Sequence, residues 1–148
     1  TNDAPSTITR LQNMGTPDYL ISAACQLVVA QRLARKNCKE CRVPDDDVTP
    51  KVLQDLGFTA ELASRVKAVK GKGCTKCNNT GYKGRQGIYE ILVVTKPLKE
   101  AILRQATTPE LREIGVKEGF QTMQDMGRRL IASGELNFRE YERVLSGE

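Results

Sequence analysis

The 148-residue sequence contains no histidine and no tryptophan, and only 5% of it is aromatic. Histidine is the side chain whose ordinary pKa lies near neutrality. Its absence excludes His-based acid–base catalysis, Ser-His-Asp and Cys-His nucleophile arrangements, and any zinc site built on imidazole. A metal site would have to be all cysteine or use carboxylates. Scarce aromatics leave little material for base-stacking platforms. Long apolar runs are missing too. The most apolar stretch, Ser22 to Arg35, is interrupted by Gln26, Gln31 and Arg32, and nothing reaches the ~18 residues of a membrane-spanning helix. A phosphate-cradling Gly-x-x-x-x-Gly-Lys-Ser/Thr loop is absent, because Gly71-Lys72 is followed by Gly73. The start, Thr1-Asn2-Asp3-Ala4-Pro5, is polar and has no initiator Met. Neither a signal peptide nor a natural N-terminus is expected there.

The balance that is present is that of one globular domain or two small ones, with 39% hydrophobic and 28% charged residues. The net charge is +5, divided as +3 over residues 1–74 and +2 over 75–148. A nucleic-acid binder usually concentrates its charge, so this spread reads as a solvated basic surface. There is no internal repeat and no low-complexity tract.

Residues 4–14 predict a helix, with Asn2 or Asp3 as cap, Pro5 in the first turn, Ile8, Leu11 and Met14 at helical spacing, and Gly15 as the stop. A second helix begins near Pro17-Asp18. Leu27 to Leu33 fits either its continuation or a short buried strand, since short apolar runs do not discriminate. The chain turns polar from Lys36 to Asp47, a composition boundary. Asp45-Asp46-Asp47 reads as a solvated loop before the next helix rather than a cation site. Thr49-Pro50 opens a helix that stops at Gly57, and Thr59 caps another through about Val69. Residues 70–87 are rich in glycine and lysine. Ile88 to Val94 is the best strand candidate. Helices then start at Pro97 and at Thr108-Pro109, a third carries Met123, Met126, Leu130 and Ile131, and Asn137 with Glu140 forms a capping-box-like pair before the last.

Five cysteines stand against the missing histidines. Cys38 and Cys41 form one Cys-x-x-Cys pair, Cys74 and Cys77 another. Tetrahedral Zn²⁺ uses two such knuckles, each presenting two thiolates about 2.3 Å from one ion. Glycines at 71, 73 and 81 permit the tight second knuckle. Lys36, Lys39, Arg42, Lys72 and Lys76 offset the −2 charge of a Cys₄–zinc site. The 32 residues between the pairs exceed the 15–20 of simple ribbons, so the excursion must hold structure of its own. Unligated thiols and disulfides are the alternatives; nothing else in the sequence suggests secretion. Cys25 reads as a small buried hydrophobe. A closed Cys₄ site implies no hydrolysis by itself, and no carboxylate pair stands out.

Three stretches together carry a family likeness. Thr1 to Leu11 resembles the end of the "His box" of secretion ATPases and its following helix. Ala30-Gln31-Arg32-Leu33 runs into the first Cys-x-x-Cys as it does there. Cys74-x-x-Cys77 followed by Gly81-Tyr82-Lys83-Gly84-Arg85-x-Gly87-Ile88-Tyr89-Glu90 resembles the most specific signature of the type II secretion and type IV pilus assembly ATPases. The wording leans to the pilus-extension branch.

The resemblance implies a C-terminal portion. In such a protein a histidine would stand immediately before Thr1, and the Walker A loop, acidic box and Walker B would lie upstream. The implied fold is α/β to mainly α. It comprises the last elements of a RecA-like core over residues 1–36, a zinc-binding tetracysteine subdomain over 37–85, and a strand with a C-terminal helical bundle over 86–148. Under that reading Leu27–Arg35 contains a strand. Cys38, Cys41, Cys74 and Cys77 match the family's zinc ligands. Arg85, in a Gly-Arg-x-Gly turn, would approach nucleotide or a neighbouring subunit, or simply fix the turn from the surface. The family context implies a cytoplasmic hexamer peripheral to the bacterial inner membrane. It also implies an inner-membrane platform protein as partner, ATP and Mg²⁺ bound only in the parent protein, no catalytic residue in this stretch, and no nucleic acid. A stand-alone zinc-ribbon-like module that recognises nucleic acid or protein is the alternative of another class, and a redox thiol protein a third.

Overall fold

The computed structural model describes residues 3–145 and is a mixed α/β chain. In order, the elements are α1 (Ala4–Asn13), α2 (Asp18–Ala24), β1 (Leu27–Asn37), β2 (Arg42–Pro44), α3 (Pro50–Asp55), α4 (Ala60–Arg65), β3 (Val69–Gly71), a 3₁₀ turn (Thr75–Cys77), β4 (Tyr82–Val93), α5 (Lys96–Leu103), α6 (Thr108–Lys117), α7 (Met123–Ser133) and α8 (Phe138–Leu145). β1 pairs with β4, and β2 pairs antiparallel with β3 in the register Arg42↔Gly71, Val43↔Lys70, Pro44↔Val69.

Local chemistry explains most helix starts. Asp3 accepts from the Ser6 N–H at 2.8 Å while the Ser6 hydroxyl returns a bond to the Asp3 backbone, a reciprocal cap. The alternative cap, Asn2, lies outside the described residues. Thr49, Thr59 and Thr107 accept from the N–H groups of Val52, Leu62 and Glu110. The undecided run resolves as strand. Cys25 takes up extended backbone (ψ 115°), which ends α2, and the Gln26 carbonyl accepts from the Val94 N–H. From there β1 alternates, with Val28 and Ala30 buried and Leu27 and Val29 exposed.

Two boundaries and the setting of Arg85 differ from the sequence reading. α4 stops at Arg65 rather than near Val69, because Val66 turns extended and residues 69–71 gain a ladder with β2. β4 begins at Tyr82, not Ile88. Its glycine-rich first half lacks an apolar signal and is held by pairing with a strand distant in sequence. Arg85 therefore sits within a strand, not in a turn.

Contacts gather the chain into two compact units, each made of separated stretches. The divisions at 36/37 and 85/86 follow chain order; these units do not. The first unit takes Thr1–Gln31 and Tyr89–Met123, the second Arg32–Ile88 and Gln124–Glu148.

In the first unit Ile8, Ile21, Val28, Leu92, Leu98, Ile102 and Leu111 form the core. Helices α1, α2, α5 and α6 pack on one another there. The inward face of this part of β1 and β4 belongs to that core. The outward face, Leu27, Val29, Tyr89, Ile91 and Val93, is 44–57% exposed. Glu90, only 3% exposed, points inward and accepts from the N–H groups of Ala4 (2.7 Å) and Met123 (2.9 Å), the first residues of α1 and α7. One carboxylate thus satisfies a terminal donor of two helices, with favourable dipole interactions at both.

In the second unit Ala34, Leu53, Ala63, Ile88, Ile131, Leu136, Tyr141 and Leu145 are buried. Asn37, 1% exposed, donates to the Gly134 carbonyl and accepts from Asn137, which also reaches the Tyr82 hydroxyl at 3.0 Å. That chain of amides fixes the residue immediately before the first cysteine pair. Among the described residues, no helix is long and apolar enough to cross a membrane.

Candidate metal centre

The two Cys-x-x-Cys pairs meet although 32 residues separate them. Cys38 closes β1's end and Cys41 precedes β2, while Cys74 and Cys77 flank the 3₁₀ turn. Two backbone bonds lock the knuckles together: the Cys38 N–H donates to the Gly81 carbonyl and the Lys72 N–H to the Cys41 carbonyl, both at 2.9 Å. Gly71 and Gly81 make this approach possible. A Cβ built on Gly71 would lie 1.9 Å from the Gly81 carbonyl oxygen. Gly81 itself holds φ +81°, where glycine carries no steric penalty.

All four Sγ atoms lie within 4.8 Å of one another. The closest separations are Cys38–Cys74 3.7 Å, Cys74–Cys77 3.7 Å and Cys41–Cys77 3.9 Å. Ligands 2.3 Å from a tetrahedral zinc stand about 3.8 Å apart along each edge. A disulfide would need about 2.0 Å, and all five cysteines are free thiols. The donor set, four sulfurs with no carboxylate, suits Zn²⁺ rather than a hard cation. The residues therefore fit the ion.

Backbone donors approach the sulfurs. Cys77 Sγ accepts from the N–H groups of Cys74 (3.3 Å) and Gly81 (3.2 Å), and Cys41 Sγ from that of Gly73 (3.2 Å). Burial opposes ionisation of Cys77, but its two N–H donors and the neighbouring thiols bring its pKa down to about 6. Cys41 has the Gly73 N–H in favour of its thiolate, yet burial and the other three sulfurs push it up to about 11. The four thiols compete for negative charge, and a divalent cation removes that competition.

Cys25 stands outside this group. It is half-buried at the end of α2, rather than on a helix's apolar face, and burial raises its pKa. Arg85 is exposed. It lines a cleft of about 420 Å³ with Leu33, Ala34, Arg35 and Arg143.

Beneath that cleft lies an arrangement the sequence reading missed. Glu140, with no exposed surface, accepts from the Arg35 N–H (2.7 Å), Arg35 Nη2 (2.9 Å), Arg143 Nε (2.8 Å) and Arg143 Nη2 (2.6 Å). Arg35 also stacks on Tyr82, 4.1 Å from the ring centre. The Asn137–Glu140 pair was visible as a helix start, and Arg143 stands one turn on; the second arm of the clamp, Arg35, is 105 residues away and carried no local signal.

Residues 1–143 match the family described as Type II/IV secretion system protein. Similar proteins include the type IV pilus assembly ATPase PilB of Thermus thermophilus, 40% identical over 86% of this chain and 14% of that protein. PilB of Pseudomonas aeruginosa is 37% identical over 97% of this chain and 25% of that protein. The type II secretion system protein HxcR of Pseudomonas aeruginosa is 35% identical over 97% of this chain and 26% of its own length. This chain thus spans about a quarter or less of these relatives. With a match that takes in the tetracysteine excursion and the elements on both sides of it, the chain belongs to the type II/IV secretion system protein family.

Proposed function

We propose that this chain is the zinc-bearing C-terminal portion of an ATPase that powers type IV pilus assembly or type II secretion, and that it does not hydrolyse ATP alone. The observation that carries the metal reading is the sulfur geometry, with edges of 3.7–3.9 Å matching a tetrahedral zinc. Cys38, Cys41, Cys74 and Cys77 would hold the ion, which closes the 37–85 excursion and leaves no open coordination position for a substrate. Nucleotide and Mg²⁺ belong to the parent protein's upstream motifs.

The first unit would be the end of a RecA-like core. Its β1–β4 ribbon, covered by helices on one face and apolar on the other, supports a role as part of a larger sheet. The parent assembly would be a cytoplasmic homo-hexamer at the bacterial inner membrane, moving pilin or pseudopilin subunits through a platform protein. Arg85, exposed beside Arg35 and Arg143, would meet an anionic group there, a nucleotide phosphate or an acidic side chain of a neighbouring subunit.

Maleimide alkylation of the native chain tests the metal reading. Cys25 should react while the other four cysteines stay protected until a chelator is added. Rapid labelling of all four without chelator would overturn it.

A further inference from the structure

The loop that carries both cysteine pairs leaves β1 at its last residue, Asn37, and rejoins β4 at its first, Tyr82. One side-chain amide from outside the loop reaches both ends. Asn137 Nδ2 donates to Asn37 Oδ1 at 3.2 Å and to the Tyr82 hydroxyl at 3.0 Å. Its Oδ1 accepts from the Glu140 N–H at 2.7 Å, which caps α8. Both amide hydrogens and the oxygen are thus engaged, on a residue only 6% exposed.

The two bonded residues stand one step from the knuckles. Beside Asn37, the Cys38 N–H donates to the Gly81 carbonyl; beside Tyr82, the Gly81 N–H donates to Cys77 Sγ. Asn37 is also fixed from its other side, where its N–H donates to the Glu135 carbonyl at 2.8 Å and its Nδ2 to the Gly134 carbonyl at 2.9 Å.

We infer that Asn137 is a positioning residue for the metal centre, a clasp that holds the two ends of the cysteine loop together and keeps the knuckles of Cys38 and Cys77 apposed. The inference rests on the tetracysteine zinc reading. Zinc leaves a closed four-thiolate site only as its ligands part, and here the two ligand pairs come from opposite ends of one loop. Holding residue 37 against residue 82 restrains that parting. Capping alone does not require the amide, because a serine accepts from the N–H groups of a first helical turn equally well. Serine lacks the pair of donors, and without them Asn37 Oδ1 loses its partner on a residue 1% exposed.

The test compares the native chain with two clasp variants and two reference variants. Asn137→Ser keeps the cap acceptor and loses both donors. Tyr82→Phe removes one arm and leaves the cap and the ring beneath Arg35 in place. Val144→Ala and Leu145→Ala loosen α8 through its buried face and touch neither arm. Zinc content is measured first, then the rate of zinc transfer to the chromogenic chelator pyridylazoresorcinol in native buffer, beside the unfolding free energy of each chain. Transfer should be about tenfold faster in Asn137→Ser and less strongly accelerated in Tyr82→Phe. Both should release zinc faster than the reference variants do at equal loss of stability. Should Asn137→Ser fail to fold, Tyr82→Phe decides alone. Clasp variants that release zinc at the native rate, or only as fast as their stability dictates on the line set by Val144→Ala and Leu145→Ala, would overturn the inference and leave the zinc reading intact. A native chain that carries no zinc would overturn both.

Discussion

Glu140 has no exposed surface, yet its partners favour the charged carboxylate. Burial raises the pKa of this carboxyl, but bonds from Arg143 and Arg35 outweigh it and lower the pKa to about 2 from its usual 4.5. A folded-state pKa below the unfolded value contributes stability that is fully present above about pH 4.5 and is lost as pH falls toward 2. Both arginines are about half exposed, so solvent screening reduces the contribution to roughly 2 kcal/mol. Unfolding free energies from denaturant melts at pH 6 to pH 2.5 should fall for the native chain, and the fall should be smaller by about that amount in Glu140→Gln. Identical pH profiles would contradict the clamp.

At this scale the sequence was most legible where chemistry is local. Asp3, Thr49 and Thr59 bond within three residues and were read as caps. Glu140 with Arg35, and Glu90 with Ala4, are contacts across 105 and 86 residues, which no local pattern announces.

Among the elements, the second knuckle depends on two backbones passing where no side chain fits. Gly81→Ala places a Cβ 2.5 Å from the Gly71 carbonyl oxygen, at φ +81°. Backbone cannot yield as a flexible side chain does, so left-handed strain adds to overpacking. The expected loss is about 2–4 kcal/mol with weakened zinc retention. Gly15→Ala shares a positive φ (+93°) but meets nothing within 4 Å, and should cost only about 1 kcal/mol with zinc retained. Equal effects of the two substitutions on zinc would remove the close approach from the account.

Glycines at 71, 73 and 81 were readable as turn formers; the contact between two of them was not. The same limit applied to β1, whose apolar run suited helix and strand alike until Cys25 and Gln26 turned it into the partner of β4. It also hid the first half of β4, where Lys83, Gly84 and Arg85 carry no strand signal of their own.

For the whole molecule, the missing histidines and the two Cys-x-x-Cys pairs pointed from the outset to an all-sulfur site. The fold brings those four cysteines, and only those among the described residues, into one metal-sized group. The grouping of the chain into discontinuous units was not legible, because the long strands β1 and β4 each run through the division between units.

On the proposed function, four cysteines from two distant knuckles close on a single structural zinc. Its most direct test is the metal content of the chain purified without chelator, measured beside Cys74→Ser. One zinc per native chain is expected, with loss of that zinc and local unfolding of residues 38–81 in the variant. A native chain that folds without zinc, or a variant that retains it in full, would rule out a structural zinc at this site.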